Sequence, residues 1–282
     1  MKTTRRIGIQ GYYGAFHEIA AKHFYAATPI VIQPVAQFAQ LVKAIEKQDQ
    51  VDEGLMAIEN SIAGSLLANY QLLQKTQVHI SGEVFLRISQ NLMVLPPQKI
   101  EDLKEVYSHP IALAQCKAFF QQYPHIKLIA QSDTALSAKM IKDQNKKNAG
   151  AIASTLAAKL YDLEIIAPSI ETYKSNYTRF LVLRPNQQQV IEPEATKVSV
   201  YFSLPHTIGS LQQVLATFTE HDANLTKIQS VPLPRSTWQY LFFVDFIIKP
   251  NTAYQVLIEA LKSQTSSFKL LGKYLIGNYY ES

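Results

Sequence analysis

The sequence predicts an α/β protein in two parts, a first unit of two α/β lobes and a smaller C-terminal unit of ferredoxin-like βαββαβ order. Three observations carry this. Short apolar runs alternate with segments of helical period from the start to about Leu183. A stretch rich in Gln, Pro and Glu, "RPNQQQVIEPEAT" at 184–196, then breaks the texture and has little that could be buried, so it reads as a linker. Beyond it the elements follow a different order.

Taken in order, "RRIGIQG" reads as a strand and "AFHEIAAKHFYA" as a helix that places Phe16, Ile19, Ala20 and Phe24 on one face. "VDEGLMAIENS" is a strand running into a turn, followed by the helical "AGSLLANYQLLQK". A second group opens near "GEVFLRISQNLMVL", two strand-like halves ending at Pro96 and Pro97. The segments "VYSHPIALAQCKAFFQQY", "IKLIAQSDTALSAKMIK" and "AGAIASTLAAKLYDL" each give a short apolar strand, a small polar turn and a helix. The expected bounds are 1–184 for the first unit, with lobes of about 1–80 plus 168–184 and of 81–167, then a linker at 185–195. The last unit, 196–282, reads "KVSVYFSL" strand, "IGSLQQVLATFTEH" helix, "NLTKIQSVPL" and "WQYLFFVDFII" strands, "TAYQVLIEALKSQ" helix and "FKLLGKYLIG" strand.

Composition narrows the function. The 282 residues carry 27 Lys and Arg against 22 Asp and Glu, a net of +5 that is scattered rather than gathered into runs. That excess suits an anionic small molecule and argues against nucleic acid, which needs a basic stripe. The single cysteine, Cys116, allows no internal disulfide and joins no metal-binding cluster, so a reducing, cytoplasmic setting is expected. The opening "MKTTRRIGIQGYYGAF" is neither a signal peptide nor a membrane span.

The strand-to-helix turns of the first unit share a chemistry. "GYYGAF", "ENSIAG", "YSHPIAL", "QSDTAL" and "ASTLAA" each put a small or hydroxyl-bearing residue where a helix begins. Singly these are caps. As a set they gather helix N-termini, with unpaired N–H groups, at the ends of strands where α/β proteins bind ligands, and so suit an anion. "NYTRF" adds a hydroxyl, Thr178, and the planar cation of Arg179, which matches a carboxylate. "GYYG" lacks both the third glycine of a dinucleotide fingerprint and a P-loop lysine, and no GxSxG elbow occurs. The histidines are scattered at spacings that propose no metal site, and Cys116 reads as packed inside a helix.

Five of these passages carry a resemblance. "AIENSIAGSLLANYQLL", "SHPIALAQC", "SDTALSA", "GAIASTLAAKLYDL" and "NYTRFLVL" resemble, in order, the signatures of the prephenate dehydratases, and "NLTKIQSVP" with "WQYLFFVDF" resembles that family's ACT regulatory domain. The resemblance implies a periplasmic-binding-protein-like two-lobed catalytic unit. It implies that prephenate loses its ring carboxylate as carbon dioxide and its ring hydroxyl as water, leaving phenylpyruvate on the route to L-phenylalanine, with no metal, nucleotide or redox cofactor. Carried onto matching positions, Thr178 stabilises the departing hydroxide, Arg179 holds a carboxylate and Phe180 either packs under the ring or supports the turn. Asn60, Ser61, Ser108 and Gln115 orient polar substrate groups. Glu59 either contacts the substrate or fixes its own turn. The first turn departs from the family pattern: "GYYGAFHE" replaces two hydroxyls, with Ala15 and His17 in their places, and His17 is read as a donor or as a surface helix residue.

For the C-terminal unit the resemblance implies binding of L-phenylalanine as an allosteric effector at Gly209, Ser210 and Leu211 with Asn224 and Leu225, and a homodimer or homotetramer. The family's Glu-Ser-Arg-Pro is Gln229, Ser230, Val231, Pro232 here, so a charged pair is lost. The first strand begins a few residues after Met1, so no chorismate mutase segment is expected and the enzyme reads as monofunctional. Two alternatives stay open: an arogenate dehydratase, whose substrate differs by a side-chain amino group, and a non-catalytic amino-acid or carboxylate sensor.

Overall fold

The computed structural model describes residues 4–186, 194–233, 239–249 and 253–282. Packing divides the chain into two units. One comprises Met1–Leu66, Val84–Phe180 and Asn278–Ser282, the other Leu67–Glu83 and Leu181–Gly277.

The first unit holds two sheets, as the alternation predicts. Its first lobe is built on β1 (Arg5–Gln10), β2 (Ile30–Val35), β3 (Glu53–Asn60) and the short β4 (Gly64–Ser65). Strand β1 pairs in parallel with both β2 and β3, and the crossovers are α1 (Phe16–Phe24) and α2 (Phe38–Lys47). Strand β3 is buried on both faces over its first six residues, which is why "EGLMAI" is nearly continuous in apolar and small residues. Helix α1 buries Glu18, Ile19, Ala20 and Ala21, a face rotated from the predicted one. Phe16 and Phe24 are only half-buried.

The second lobe carries β6 (Asn91–Val94), β7 (Glu105–Ser108), β8 (Lys127–Ala130), β9 (Ala149–Ala153) and β10 (Glu164–Ala167), in the order β10-β6-β9-β7-β8. Helices α4 (Pro110–Gln115), α5 (Lys117–Phe120), α6 (Thr134–Asp143) and α7 (Thr155–Leu160) join these strands. Alanines dominate one side of the sheet, where Ala135, Ala138, Ala151, Ala153, Ala157 and Ala158 let α6 and α7 approach closely. The lobes touch at Gly14. Its φ is +89°, a Cβ there would lie 2.8 Å from Ala157 Cα, and the Ser154 hydroxyl donates to Gly14 O at 2.5 Å.

Three strands, β5 (Val78–Arg87), β11 (Tyr177–Pro185) and the short β16 (Tyr279–Tyr280), complete the first sheet, whose order is β16-β5-β11-β3-β1-β2 with β4 on β3. The crossover to the second lobe therefore lies at 88–90, later than the expected 81, because the buried alternation of Ile80, Val84 and Leu86 keeps β5 in register to Arg87. The short β16 (Tyr279–Tyr280) pairs in parallel with Phe85 and Leu86, and Tyr279 stacks on Phe85 at 4.6 Å. The last residues thus pack within the first unit rather than with the 196–282 segment to which the sequence assigned them. Of the expected linker, Pro185 belongs to β11, and 187–193 lie outside the described residues.

The second unit contains α3 (Leu67–Lys75) and the βαββαβ run: β12 (Lys197–Ser203), α8 (Ser210–Glu220), β13 (Asn224–Pro232), β14 (Tyr240–Ile247), α9 (Tyr254–Gln264) and β15 (Ser267–Tyr274). Its antiparallel sheet runs β13-β14-β12-β15. Along β12, Val198, Val200 and Phe202 face a core shared with Val214 and Phe218 of α8 and Leu257 and Leu261 of α9. Between them stand Lys197, Ser199 and Tyr201 on the other face, where Lys197 meets Glu83 at 2.8 Å and Tyr201 donates to Gln74 O at 3.3 Å. Gly272 has no room for a side chain, since a Cβ would overlap the Ile80 carbonyl. No helix among the described residues is long and apolar enough to cross a membrane.

Candidate active site

A cavity of about 450 Å³ opens in the first unit, lined from both lobes. Four of its walls are helix beginnings. Ala15, Phe16 and His17 come from the start of α1, Gln37 and Phe38 from α2, His109, Ile111 and Ala112 from α4, and Ser132, Asp133 and Thr134 from α6. The turn after β3 adds Asn60 and Ala63, β11 adds Thr178 and Phe180, and the crossover adds Ile88 and Gln90. Four of the five turns quoted from the sequence thus reach the cavity. The fifth, "ASTLAA", instead caps α7 through Ser154, whose hydroxyl also holds Gly14.

Asn60 organises the floor. Its Oδ1 accepts from the N–H groups of Ile62 (3.0 Å) and Ala63 (2.8 Å), which folds the chain back into β4. Its Nδ2 donates to Asn176 Oδ1 (2.7 Å), to Thr178 Oγ1 (3.0 Å) and to Tyr177 O (3.2 Å). Because one lone pair of the Thr178 hydroxyl is occupied in this way, its single O–H is left to point away from Asn60. Asn176 Nδ2 continues to Gln115 Oε1 at 3.0 Å, and Gln90 Nε2 reaches the same oxygen at 3.5 Å.

The structure brings together Thr178, Phe180, Asn60 and Gln115 and places the other predicted residues elsewhere. Arg179 is the main correction. It is 6% exposed and absent from the lining, because side chains alternate along β11 and Thr178 and Phe180 already occupy the cavity face. Ser61 lies in an exposed turn, where its hydroxyl donates to Ser175 O (3.2 Å) and accepts from Tyr177 N (2.9 Å), tying the ends of β3 and β11. Ser108 is fully buried and donates to Ile152 O at 2.7 Å. Glu59 closes β3 opposite Ser65 and does not line the cavity.

The lining contains no Lys or Arg among the described residues, and burial shifts His17, His109 and Asp133 each toward its uncharged form. His17 packs edge-on to Phe180 at 4.8 Å and against Phe38 at 5.5 Å, its Nε2 is sealed without a partner among the described residues, and burial drives its pKa down to about 3. It is a cavity residue and not the surface position that "GYYGAFHE" allowed. Burial also lowers the pKa of His109, opposed by the nearby Asp133; its Nδ1 accepts from Ile111 N at 3.3 Å, so Nε2 carries the proton. Burial raises the pKa of Asp133, opposed by the N–H groups of Leu136 and Ala135 that it caps. Cys116 lies outside the lining, its thiol pushed up to about 12 by burial.

Gln10, Gln37, Phe38 and Gln90 escaped the sequence reading. Gln37 precedes α2 without a capping hydrogen bond from its side chain, so it lacks the residue type that marks the other turns. Gln90 falls between two strands with no motif around it. Among the described residues no group of three or more His, Cys, Asp or Glu side chains is placed to hold a metal ion.

Two α/β lobes and a cavity walled by helix beginnings, side-chain amides and one oriented hydroxyl define a two-lobed α/β protein with a largely uncharged, polar-edged cleft of small-molecule size. The chain belongs to the prephenate dehydratase family: residues 7–188 match the family model described as prephenate dehydratase. It is 38% identical to an arogenate dehydratase 2 of Petunia hybrida, over 95% of this chain and 71% of that one. The prephenate dehydratase of Staphylococcus aureus superposes with a TM-score of 0.81 at 27% identity, covering 95% of this chain and 99% of the other. A prephenate dehydratase of Arthrobacter aurescens, solved with L-phenylalanine, shares the fold with a TM-score of 0.84 at 23% identity, over 96% and 90% of the two chains. The activity is that of a hydro-lyase in aromatic amino-acid synthesis, converting prephenate to phenylpyruvate with loss of carbon dioxide and water.

Proposed function

We propose that Thr178 is the group that receives the departing hydroxide, and that Asn60 aims it. As the C1–carboxylate bond breaks, its electron pair enters the ring. The C4–oxygen bond breaks, hydroxide leaves with that bond's own electron pair while the pair from the lost carboxylate completes the aromatic ring, and a proton from solvent completes water. A threonine hydroxyl is far too weak an acid to titrate near neutrality, so its contribution is a preorganised hydrogen bond to charge that develops on the leaving oxygen. The observation that carries this is the 3.0 Å bond from Asn60 Nδ2 to Thr178 Oγ1, which leaves the O–H on a cavity-lining residue free for the substrate. Phe180 supplies the apolar platform.

The carboxylates of the dianion are taken up by the first-turn N–H groups of α1 and α2, since Arg179 is not among the lining residues and Asp133 already caps α6. Glu59, Ser61 and Ser108 hold the walls: Ser61 ties β3 to β11 and Ser108 ties β7 to β9. The test is phenylpyruvate formation from prephenate. Thr178→Ala is expected to lower kcat about 10²–10³-fold with little change in KM, and Thr178→Ser to keep most of it. Near-normal turnover by Thr178→Ala would overturn the assignment.

The βαββαβ unit is proposed to be an ACT-type regulatory domain that binds L-phenylalanine near Gly209, Ser210, Leu211, Asn224 and Leu225 in a homo-oligomer. Support comes from the Gly209 turn, at φ +83° with open space beside it, from the edge position of β13, and from the phenylalanine complex of the Arthrobacter enzyme. Calorimetry that registers no heat with L-phenylalanine, on a chain active toward prephenate, removes the effector.

A further inference from the structure

His17 stands second in α1, lines the cavity and is only partly buried. Its ring is wedged edge-on to Phe180, with centroids 4.8 Å apart, and tilted against Phe38 at 5.5 Å. The two ring nitrogens differ. Nε2 has no accessible surface and no partner among the described residues, so no ligand reaches it. Nδ1 is not enclosed in that way, and it too makes no hydrogen bond among the described residues. The polar surface that His17 offers to the cavity is therefore Nδ1. Two backbone donors lie beside it. The first carbonyl taken in this helix is Ala15 O, by Glu18 N at 2.9 Å and Ile19 N at 3.3 Å, so the N–H groups of Phe16 and His17 have no partner within the helix. The one carboxylate of this turn, Glu18, is already engaged: Gly14 N donates to its Oε2 at 2.7 Å, and Lys22 pairs with its Oε1 at 2.7 Å.

A neutral imidazole carries a single proton, and an anion brought to Nδ1 fixes that proton there as a donor. With Phe16 N and His17 N this makes three donors within one turn, a set that suits the two oxygens of a carboxylate. The two carboxylates of the dianion are not equivalent. The ring carboxylate must give up its charge as carbon dioxide leaves, so a donor fixed on it would stabilise the ground state more than the transition state and slow the reaction. The side-chain carboxylate keeps its charge from substrate to product. Donors placed on it bind every state alike, which strengthens capture without slowing the chemistry.

We infer that His17 is a further substrate-binding residue, whose Nδ1 donates to the side-chain carboxylate next to the first-turn N–H groups of α1 while its ring braces Phe180. This rests on the dehydratase reading. The experiment measures KM and kcat for prephenate, and inhibition by phenylpyruvate, in the full chain. His17→Phe keeps an aromatic ring against Phe180 and Phe38 and removes the nitrogen. It is expected to raise KM about 10–100-fold with kcat within about threefold of wild type. Phenylpyruvate retains only the side-chain carboxylate, so its inhibition is expected to weaken by the same factor. His17→Asn puts an amide nitrogen close to the place of Nδ1 and is expected to bring both constants back to within about threefold of wild type. An unchanged KM in His17→Phe, or a fall in kcat in place of a rise in KM, overturns this inference and leaves the dehydratase reading standing. So does a phenylpyruvate constant that stays at the wild-type value while KM rises, which would put the donor on the ring carboxylate. His17→Asn as impaired as His17→Phe would reduce His17 to a packing residue. Should urea titration show that His17→Phe does not fold, His17→Leu takes its place with the same expectations. A wild-type chain that fails to convert prephenate overturns both readings.

Discussion

Asn60→Asp separates the aim of the Thr178 hydroxyl from the shape of the site. The replacement is nearly isosteric, and its carboxylate still accepts from Ile62 N and Ala63 N at 3.0 and 2.8 Å. What disappears is the donor. Thr178 Oγ1 loses the N–H that occupied its lone pair and gains a carboxylate 3.0 Å away, so its own proton turns toward that carboxylate and away from the cavity. Losing one transition-state donor is worth about 2.7–4 kcal/mol, a fall in kcat of about 10²–10³. The fold should suffer less. Asn176 and Gln115 can reverse their amides to face the new acceptor, and the loss is the contact to Tyr177 O plus the desolvation of a part-buried carboxylate, about 1–3 kcal/mol. Urea midpoints and kcat on the same samples separate the two effects. A further sign comes from pH: a protonated carboxyl regains one donor, so the variant's activity relative to wild type should recover as pH falls through that group's titration. Wild-type kcat at neutral pH in a folded Asn60→Asp would refute the reasoning.

Two further outcomes follow from buried ionisable groups. Lys197→Ala removes the ammonium from Glu83, 2% exposed and bonded to it at 2.8 and 2.9 Å, and should destabilise the second unit by about 3–5 kcal/mol in urea titrations. A loss below about 1 kcal/mol would show that the pair does not bear on stability. His17 has its folded pKa depressed to about 3 by burial, so the stability tied to its neutral form is complete above about 6.5 and drains away as pH falls toward the lower value. His17→Phe should therefore flatten the decline in urea midpoint between about pH 6 and 4, and identical slopes for both proteins would disprove it.

Much of the fold was legible because periodicity reports burial. The alternation of strands and helices, the βαββαβ order and the helix-starting turns are all local properties of the chain. The site was legible only in part. Thr178 and Phe180 line the cavity and Arg179 does not for one reason, that a motif of consecutive residues on a strand sends its members to opposite faces. A carboxylate-matching side chain beside a hydroxyl suggested one site where the pleat makes two. Ser61 and Ser108 carry the residue type of a binding group, yet backbone carbonyls at 3.2 and 2.7 Å claim their hydroxyls. Gln90 was invisible because it lies between two strands with no motif around it, and its side-chain neighbour Gln115 is distant in sequence. The return of Tyr279 and Tyr280 to β5 was equally hidden, since two residues are too few to show a period.

The lack of lysine and arginine among the described residues around the cavity has a consequence for how such a protein can change. Any pull on a negatively charged guest then falls to peptide groups at the mouths of helices, which every sequence possesses, so no exchange of one side chain can erase it. The side-chain amides joined along one edge of the cavity carry no net charge, and a single substitution can reverse their hydrogen-bonding sense. A receptor assembled this way keeps its hold on anions while it exchanges one closely related compound for another.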